Sequence, residues 1–335
     1  MKKKAAFTLV ACSIAALFLI CVLAVGLSQN GFGIFKLAGE ASAGWSKAAG
    51  DTYEYTWDPV ETDVTGLDID WINGEVEVKV GTGDLIRITE RPASGKLEEQ
   101  KRLKLSTSGD NLRIQWDQGF RLISFGIFVN NRKDLTIELP RSFAGAMGEM
   151  LCENTSGRIH IAGLTAKKMS VSSTSGSIEL SDLKLEKGLD IDSTSGAIEA
   201  ADVTLGETVS VSTTSGAVTL SNVQAKKADL DTVSGALTYL GSAEEFDGSS
   251  VSAAIRGEFV NCPEKVDLNA VSGGLTLVLP ENDGFETEYS SVSGDFSSDF
   301  PVTGGSGKSG RAKYASGAAS FQFSTTSGDM KILKH

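Results

Sequence analysis

Thr174-Ser175-Gly176-Ser177-Ile178-Glu179-Leu180 returns twenty residues later as Thr194-Ser195-Gly196-Ala197-Ile198-Glu199-Ala200, and again as Thr214-Ser215-Gly216-Ala217-Val218-Thr219-Leu220. Thr-Ser-Gly or Val-Ser-Gly ends at Gly157, Gly176, Gly196, Gly216, Gly235, Gly273, Gly294 and Gly328, and Ile255-Arg256-Gly257 stands in the gap as a degenerate copy. From Gly157 to Gly235 the intervals are 19, 20, 20 and 19 residues. A fixed period of this length marks a repeat architecture in which one small unit stacks on the next.

Apolar residues keep a constant phase to each glycine. Two and four positions after it stand Ile178 and Leu180, Ile198 and Ala200, Val218 and Leu220; seven and five before it stand Met169 and Val171, Leu189 and Ile191, Val209 and Val211. Both pairs alternate with polar residues, so each is a strand with one buried face. A third inward pair follows at seven and nine: Leu183 and Leu185, Val203 and Leu205, Val223 and Ala225. The glycine then reads as a corner, where freedom to take positive φ lets the chain turn between two strands. Strand, corner, strand, bend and short strand, repeated with the same residues inward, describe an all-β fold, a β-solenoid of about twenty-residue coils. The competing reading is a sandwich of antiparallel hairpins, against which the constant phase argues. The same phase surrounds Gly74, with Leu67 and Ile69 before it and Val76 and Val78 after. Leu135-Thr136-Ile137-Glu138-Leu139-Pro140 recurs as Leu275-Thr276-Leu277-Val278-Leu279-Pro280.

The amino terminus reads differently. Lys2, Lys3 and Lys4 precede an uncharged run over 5–27, whose 23 residues span about 35 Å as a helix, enough for a bilayer core of roughly 30 Å. The expectation is a cytoplasmic tail (1–4), one transmembrane helix (5–27), a linker (28–66) and an extracytoplasmic solenoid (67–335), which places the chain in the cell membrane. A cleaved signal peptide, or lipidation at Cys12, is the alternative. The chain has 31 basic and 43 acidic residues, a formal −12. Removing residues 1–30 takes away three lysines and no acid, so the rest carries −15. That balance argues against nucleic acid as a partner, because a duplex binder needs a basic face.

No residue pattern gathers unlike catalytic groups. His160 and His335 are the only imidazoles, too few for a His-based metal centre. Asp68-Ile69-Asp70, Asp190-Ile191-Asp192 and Asp229-Leu230-Asp231 place paired carboxylates on the outer face of a strand, without the glycine-rich nonapeptide of a calcium β-roll. Neither catalytic residues nor a cofactor nor a metal is expected. Cys152 and Cys262 fall several coils apart and are not expected to bond. The apolar stretch 119–131, with Phe120, Leu122, Phe125 and Phe128, breaks the repeat and reads either as a strand pair capping the stack or as an exposed interaction loop.

Over about residues 60–335 the chain resembles the bacterial putative adhesins of the DUF4097 type, which include single-pass proteins encoded in cell-envelope stress operons. The resemblance rests on Trp71-Ile72-Asn73-Gly74-Glu75-Val76-Glu77-Val78, on the Thr-Ser-Gly copies, and on Leu279-Pro280 to Gly284-Phe285 followed by Ser291-Val292-Ser293-Gly294-Asp295-Phe296. It implies a β-solenoid ectodomain with an adhesive or envelope-associated role, and no catalytic residue to carry over. The expected partner is an envelope or extracellular polymer or another surface protein. Accessory work in envelope-stress signalling and carbohydrate-active catalysis are the alternatives.

Overall fold

Alternation builds the strands, and a hydrogen-bonded corner joins them. The computed structural model describes residues 44–46, 51–116, 132–305 and 307–335. The chain divides into two units, Met1–Glu40 and Ala41–His335, and every described residue belongs to the second. In the coil made of Leu189–Ser193 and Ile198–Leu205, the side chains of Leu189, Ile191, Ile198, Ala200, Val203 and Leu205 are buried, whereas Asp192, Glu199 and Thr204 face solvent. Equal phase brings like residues together in adjacent coils. Ile178 pairs with Ile198 and Ile198 with Val218; Leu189 pairs with Val209 and Val209 with Ala228, all in parallel. Parallel pairing one coil apart is incompatible with the hairpin sandwich.

Two interactions fix the central corners. The residue three before the glycine is a hydroxyl that accepts the glycine N–H: Gly176 donates to Ser173 Oγ at 2.9 Å, Gly196 to Ser193 Oγ at 3.0 Å, Gly216 to Thr213 Oγ1 at 3.1 Å and Gly235 to Thr232 Oγ1 at 2.9 Å. The glycine itself is required by close approach. A Cβ on Gly196 would lie 1.7 Å from the Gly176 carbonyl oxygen, and one on Gly216 would lie 1.9 Å from that of Gly196. The positive φ expected at the corners occurs only at Gly74, Gly157 and Gly328. At the other corners the backbone of the neighbouring coil fills the volume that a side chain would need.

The gap in the repeat is filled by Ala253 rather than Gly257. Ala253 N–H donates to Ser250 Oγ at 2.8 Å, as the corner glycines do, and its carbonyl oxygen lies 2.0 Å from where a Gly273 Cβ would stand. Gly257 sits inside the strand Ile255–Phe259, where an added Cβ would meet Phe259 at 2.7 Å and Phe246 at 2.8 Å. Its missing side chain makes room for Tyr239, Phe246 and Phe259, whose rings stand 5.2 to 5.4 Å apart.

At both ends the coils leave chain order. Gly66–Asn73 and Val76–Val80 lie between the coil of Met147–Ser156 and Ile159–Ala162 on one side and the strands Asn111–Gln115 and Lys133–Leu139 on the other. At the carboxyl end, Ala319–Ser327 and Met330–Lys334 lie between Lys265–Ser272 and Leu275–Leu279 on one side and Gly284–Ser293 and Phe296–Ser298 on the other. Antiparallel strands close each end: Tyr53–Trp57, Ile86–Pro92 and Lys104–Ser108 at one, Ser309–Ala315 and Thr303–Gly304 at the other. Thus residues 53–57, expected in a linker, form a strand whose Tyr53, Tyr55 and Trp57 are buried, and Ser108 and Asn111 flank the turn of an antiparallel hairpin.

The cell-membrane placement is corrected. Among the described residues no helix is long and apolar enough to cross a membrane; the two helical turns, Glu99–Lys101 and Arg141–Ala144, have three and four residues. Residues 1–4, 5–27 and the apolar stretch 119–131, with Phe120, Leu122, Phe125 and Phe128, lie outside the described residues.

Candidate functional site

The strand before each corner turns two side chains outward, and stacking lines these up in columns. One column runs Ser170, Asp190, Ser210, Asp229, Asp247 and Asp267; the other runs Ser172, Asp192, Ser212, Asp231, Ser249 and Asn269. Over the first four rungs, pairs of aspartates alternate with pairs of serines, so like charges stand two rungs, about 9 to 10 Å, apart. From Asp229 onward the charges become adjacent, and Lys227 bridges Asp247 at 2.7 Å and Asp229 at 3.5 Å. Lys168 pairs with Asp190 at 2.8 Å. Burial, then the charge of Asp229, pushes the Asp231 carboxyl up to about 6. Asp192 and Asp267 are raised as well, chiefly by partial desolvation where neighbouring side chains crowd the carboxyl. The carboxylate pairs read from the sequence are therefore outward, as expected, and arranged as a regular acidic face.

The strand after the corner ends in the expected bend, whose residues the sequence analysis left unnamed. Gly163, Asp182, Asp202 and Asn222, each six positions after a corner glycine, take left-handed φ of 76°, 53°, 57° and 52°. Asp and Asn tolerate this conformation better than other non-glycine residues. Their stacked side chains are exposed, and Asn222 donates to Asp202 Oδ1. The column ends where the next coil omits the bend residue, so that Ser221 faces Leu240 and Val223 faces Gly241. Two shallow clefts of about 240 Å³ each accompany this bend. One is lined by His160, Glu179, Ser181, Glu199, Ala201, Thr219 and Ser221, the other by Asp182, Lys184, Asp202, Thr204, Asn222 and Gln224. Arg158 bridges Glu75 and Glu179 beside the first. These groups offer hydrogen bonds and charge to an extended ligand. Among the described residues no group of three or more His, Cys, Asp and Glu is placed to hold a metal ion.

Polar residues that do not follow the repeat gather inside the amino-terminal cap. Glu90 and Lys133 are both buried and paired, Nζ to Oε1, at 2.7 Å. Trp71 donates its Nε1–H to the Lys133 carbonyl oxygen at 2.8 Å and meets Trp116 edge-on at 4.8 Å. The sequence carries a signal for this pair: Glu90 and Lys133 occupy inward positions of alternating strands, in phase with Ile86 and Ile88 and with Leu135 and Ile137. Cys152 and Cys262 are free thiols. Burial raises both, Cys262 to about 11, which leaves them protonated near neutrality.

Gly74, Gly157, Gly176, Gly196, Gly216, Gly235, Gly273, Gly294 and Gly328 line one edge of the stack, each backed by a neighbouring coil's backbone. None of them lines either cleft. A search of curated proteins finds no match. Among solved structures, the chain is similar to one titled a putative cell adhesion protein from Clostridium sporogenes ATCC 15579, with 10% identity, 86% of this chain and 100% of that one covered, and a TM-score of 0.29. It is also similar to one titled a putative adhesin from Parabacteroides merdae ATCC 43184, with 10% identity, 84% and 95% covered, and a TM-score of 0.49. The family model Toastrack DUF4097 matches residues 64–333, and the chain belongs to that family.

Proposed function

We propose that the solenoid is a non-catalytic surface-binding module that holds an envelope or extracellular polymer, or another surface protein, through many shallow contacts. What supports this reading is the form of the outward face. Ser, Asp and Thr recur in register from coil to coil, and the concavities beside the bend are open clefts rather than an enclosed pocket. Repeated weak contacts along a rigid track add through effective concentration, so avidity does not need one deep site. The acidic columns favour cationic or amine-bearing ligands and disfavour anionic ones. The test is retention of the full chain on immobilised peptidoglycan, chitosan, dextran sulfate and lysozyme. Salt-sensitive retention on chitosan or lysozyme is expected, weakened by joint substitution of Asp190, Asp192, Asp229 and Asp231 with Asn. Retention on none of the four, or turnover of a glycan, would overturn the reading.

A further inference from the structure

The Glu90–Lys133 pair has a geometry suited to more than an ion pair. Glu90 is fully buried and Lys133 is 1% exposed, and Nζ stands 2.7 Å from Oε1. The Trp116 ring centroid lies 4.0 Å from Nζ and the Trp71 centroid 5.1 Å, so the ammonium sits in an aromatic, water-poor site. We propose that Lys133 and Glu90 condense to an isopeptide bond that staples the amino-terminal cap to the outermost coil. Such a staple is independent of the binding role above.

The first step is transfer of one proton from Nζ to Oε1 across the 2.7 Å contact, which leaves a neutral amine and a neutral acid. The neutral amine keeps two N–H bonds. The Lys101 carbonyl oxygen, 2.8 Å from Nζ, accepts one, and the Trp116 face receives the other, which leaves the lone pair for Glu90 Cδ. Leu103 N–H, 3.1 Å from both carboxyl oxygens, and the Tyr55 hydroxyl, 3.3 Å from Oε2, are placed where negative charge develops as Nζ adds. The Nζ–Cδ bond forms and the Cδ–Oε1 bond breaks. The second amine proton goes to the departing oxygen, which leaves as water. An ammonium and a carboxylate thus give an amide and one water, with no oxidant or reductant. Burial in fixed contact supplies the high effective concentration that such condensations need. The product would join Ile86–Pro92 to its antiparallel neighbour Lys133–Leu139.

Mass spectrometry of the purified, fully denatured chain tests this. The expected result is a chain lighter than its sequence by one water and, after trypsin, a branched peptide joining residues 88–96 to 133–141. Lys133→Arg keeps the positive charge but cannot condense in this way, and its digest is expected to hold only unbranched peptides. Free wild-type peptides 88–96 and 134–141, with no mass deficit, would overturn the proposal and leave a buried ion pair. The wild-type measurement decides the matter whether or not the variant folds.

Discussion

A single methyl group decides whether two neighbouring coils can close at a corner. The Cβ of an alanine at position 196 would stand 1.7 Å from the Gly176 carbonyl oxygen, and that obstacle is backbone, which cannot swing aside. Gly196→Ala is therefore expected to lower stability by about 3 kcal/mol or more, at the upper end of overpacking. Ala253→Gly, at the one corner that already carries a methyl, should change it by no more than about 1 kcal/mol. Urea unfolding midpoints at constant slope check both, and equal effects at the two corners would contradict the backbone-ladder account. The corner positions were legible because the tripeptide repeats, yet their reason was not, since a steric demand between coils leaves no mark on local sequence. The bend was read from the phase of the inward pairs, but the residues that make it were not. Gly163, Asp182, Asp202 and Asn222 at a constant offset are the residue types that a left-handed position selects.

Among the elements, the central coils and the carboxyl-terminal coils differ in how their polar groups are matched. Ser173, Ser193, Thr213, Thr232 and Ser250 each accept a corner N–H, but position 270 is alanine, and the hydroxyls of Thr325 and Ser291 at the same place in the last two coils are buried without a partner. Thr287 and Tyr289 add two more unmatched hydroxyls in the same strand as Ser291. Each such group costs about 1 to 3 kcal/mol relative to a bonded one. Hydrogen exchange is accordingly expected to be faster in Gly284–Ser293 and Ala319–Ser327 than in Leu189–Ser193 and Thr208–Thr213. Equal protection would show that the hydroxyls find partners in solution, such as water. The interleaving of these end coils could not be read from the chain, because every coil presents the same inward phase and any two can pair. Only the lengths and polarity of the connections select which do.

For the molecule as a whole, the acidic outer face sets the dependence of stability on pH. Asp68, Glu153, Asp192, Asp231 and Asp267 all have carboxyls raised in the folded state, each chiefly by burial, with Asp231 moved from 3.8 to about 6. A raised carboxyl binds its proton more tightly folded than unfolded. Stability therefore increases as pH falls through the folded value, reaches its full gain below the unfolded value, and is lost again as pH rises. Asp134 works in the opposite sense. Backbone and guanidinium hydrogen bonds from Glu75, Arg132 and Arg91 outweigh the effect of its burial and hold it below 3.8, so its contribution is lost only in stronger acid. The two windows do not coincide, and between about pH 7 and pH 4.5 the raised group governs. The melting temperature is expected to climb over that interval on acidification and to turn down below it. Asp231→Asn should raise the melting temperature at pH 7 and flatten the climb, because an amide in that place never has to carry the charge that burial opposes. A melting temperature that falls steadily from pH 7 to pH 4.5 would mean that ion pairs, such as those of Lys168 and Lys227, outweigh the partial desolvation of the carboxylates along this face.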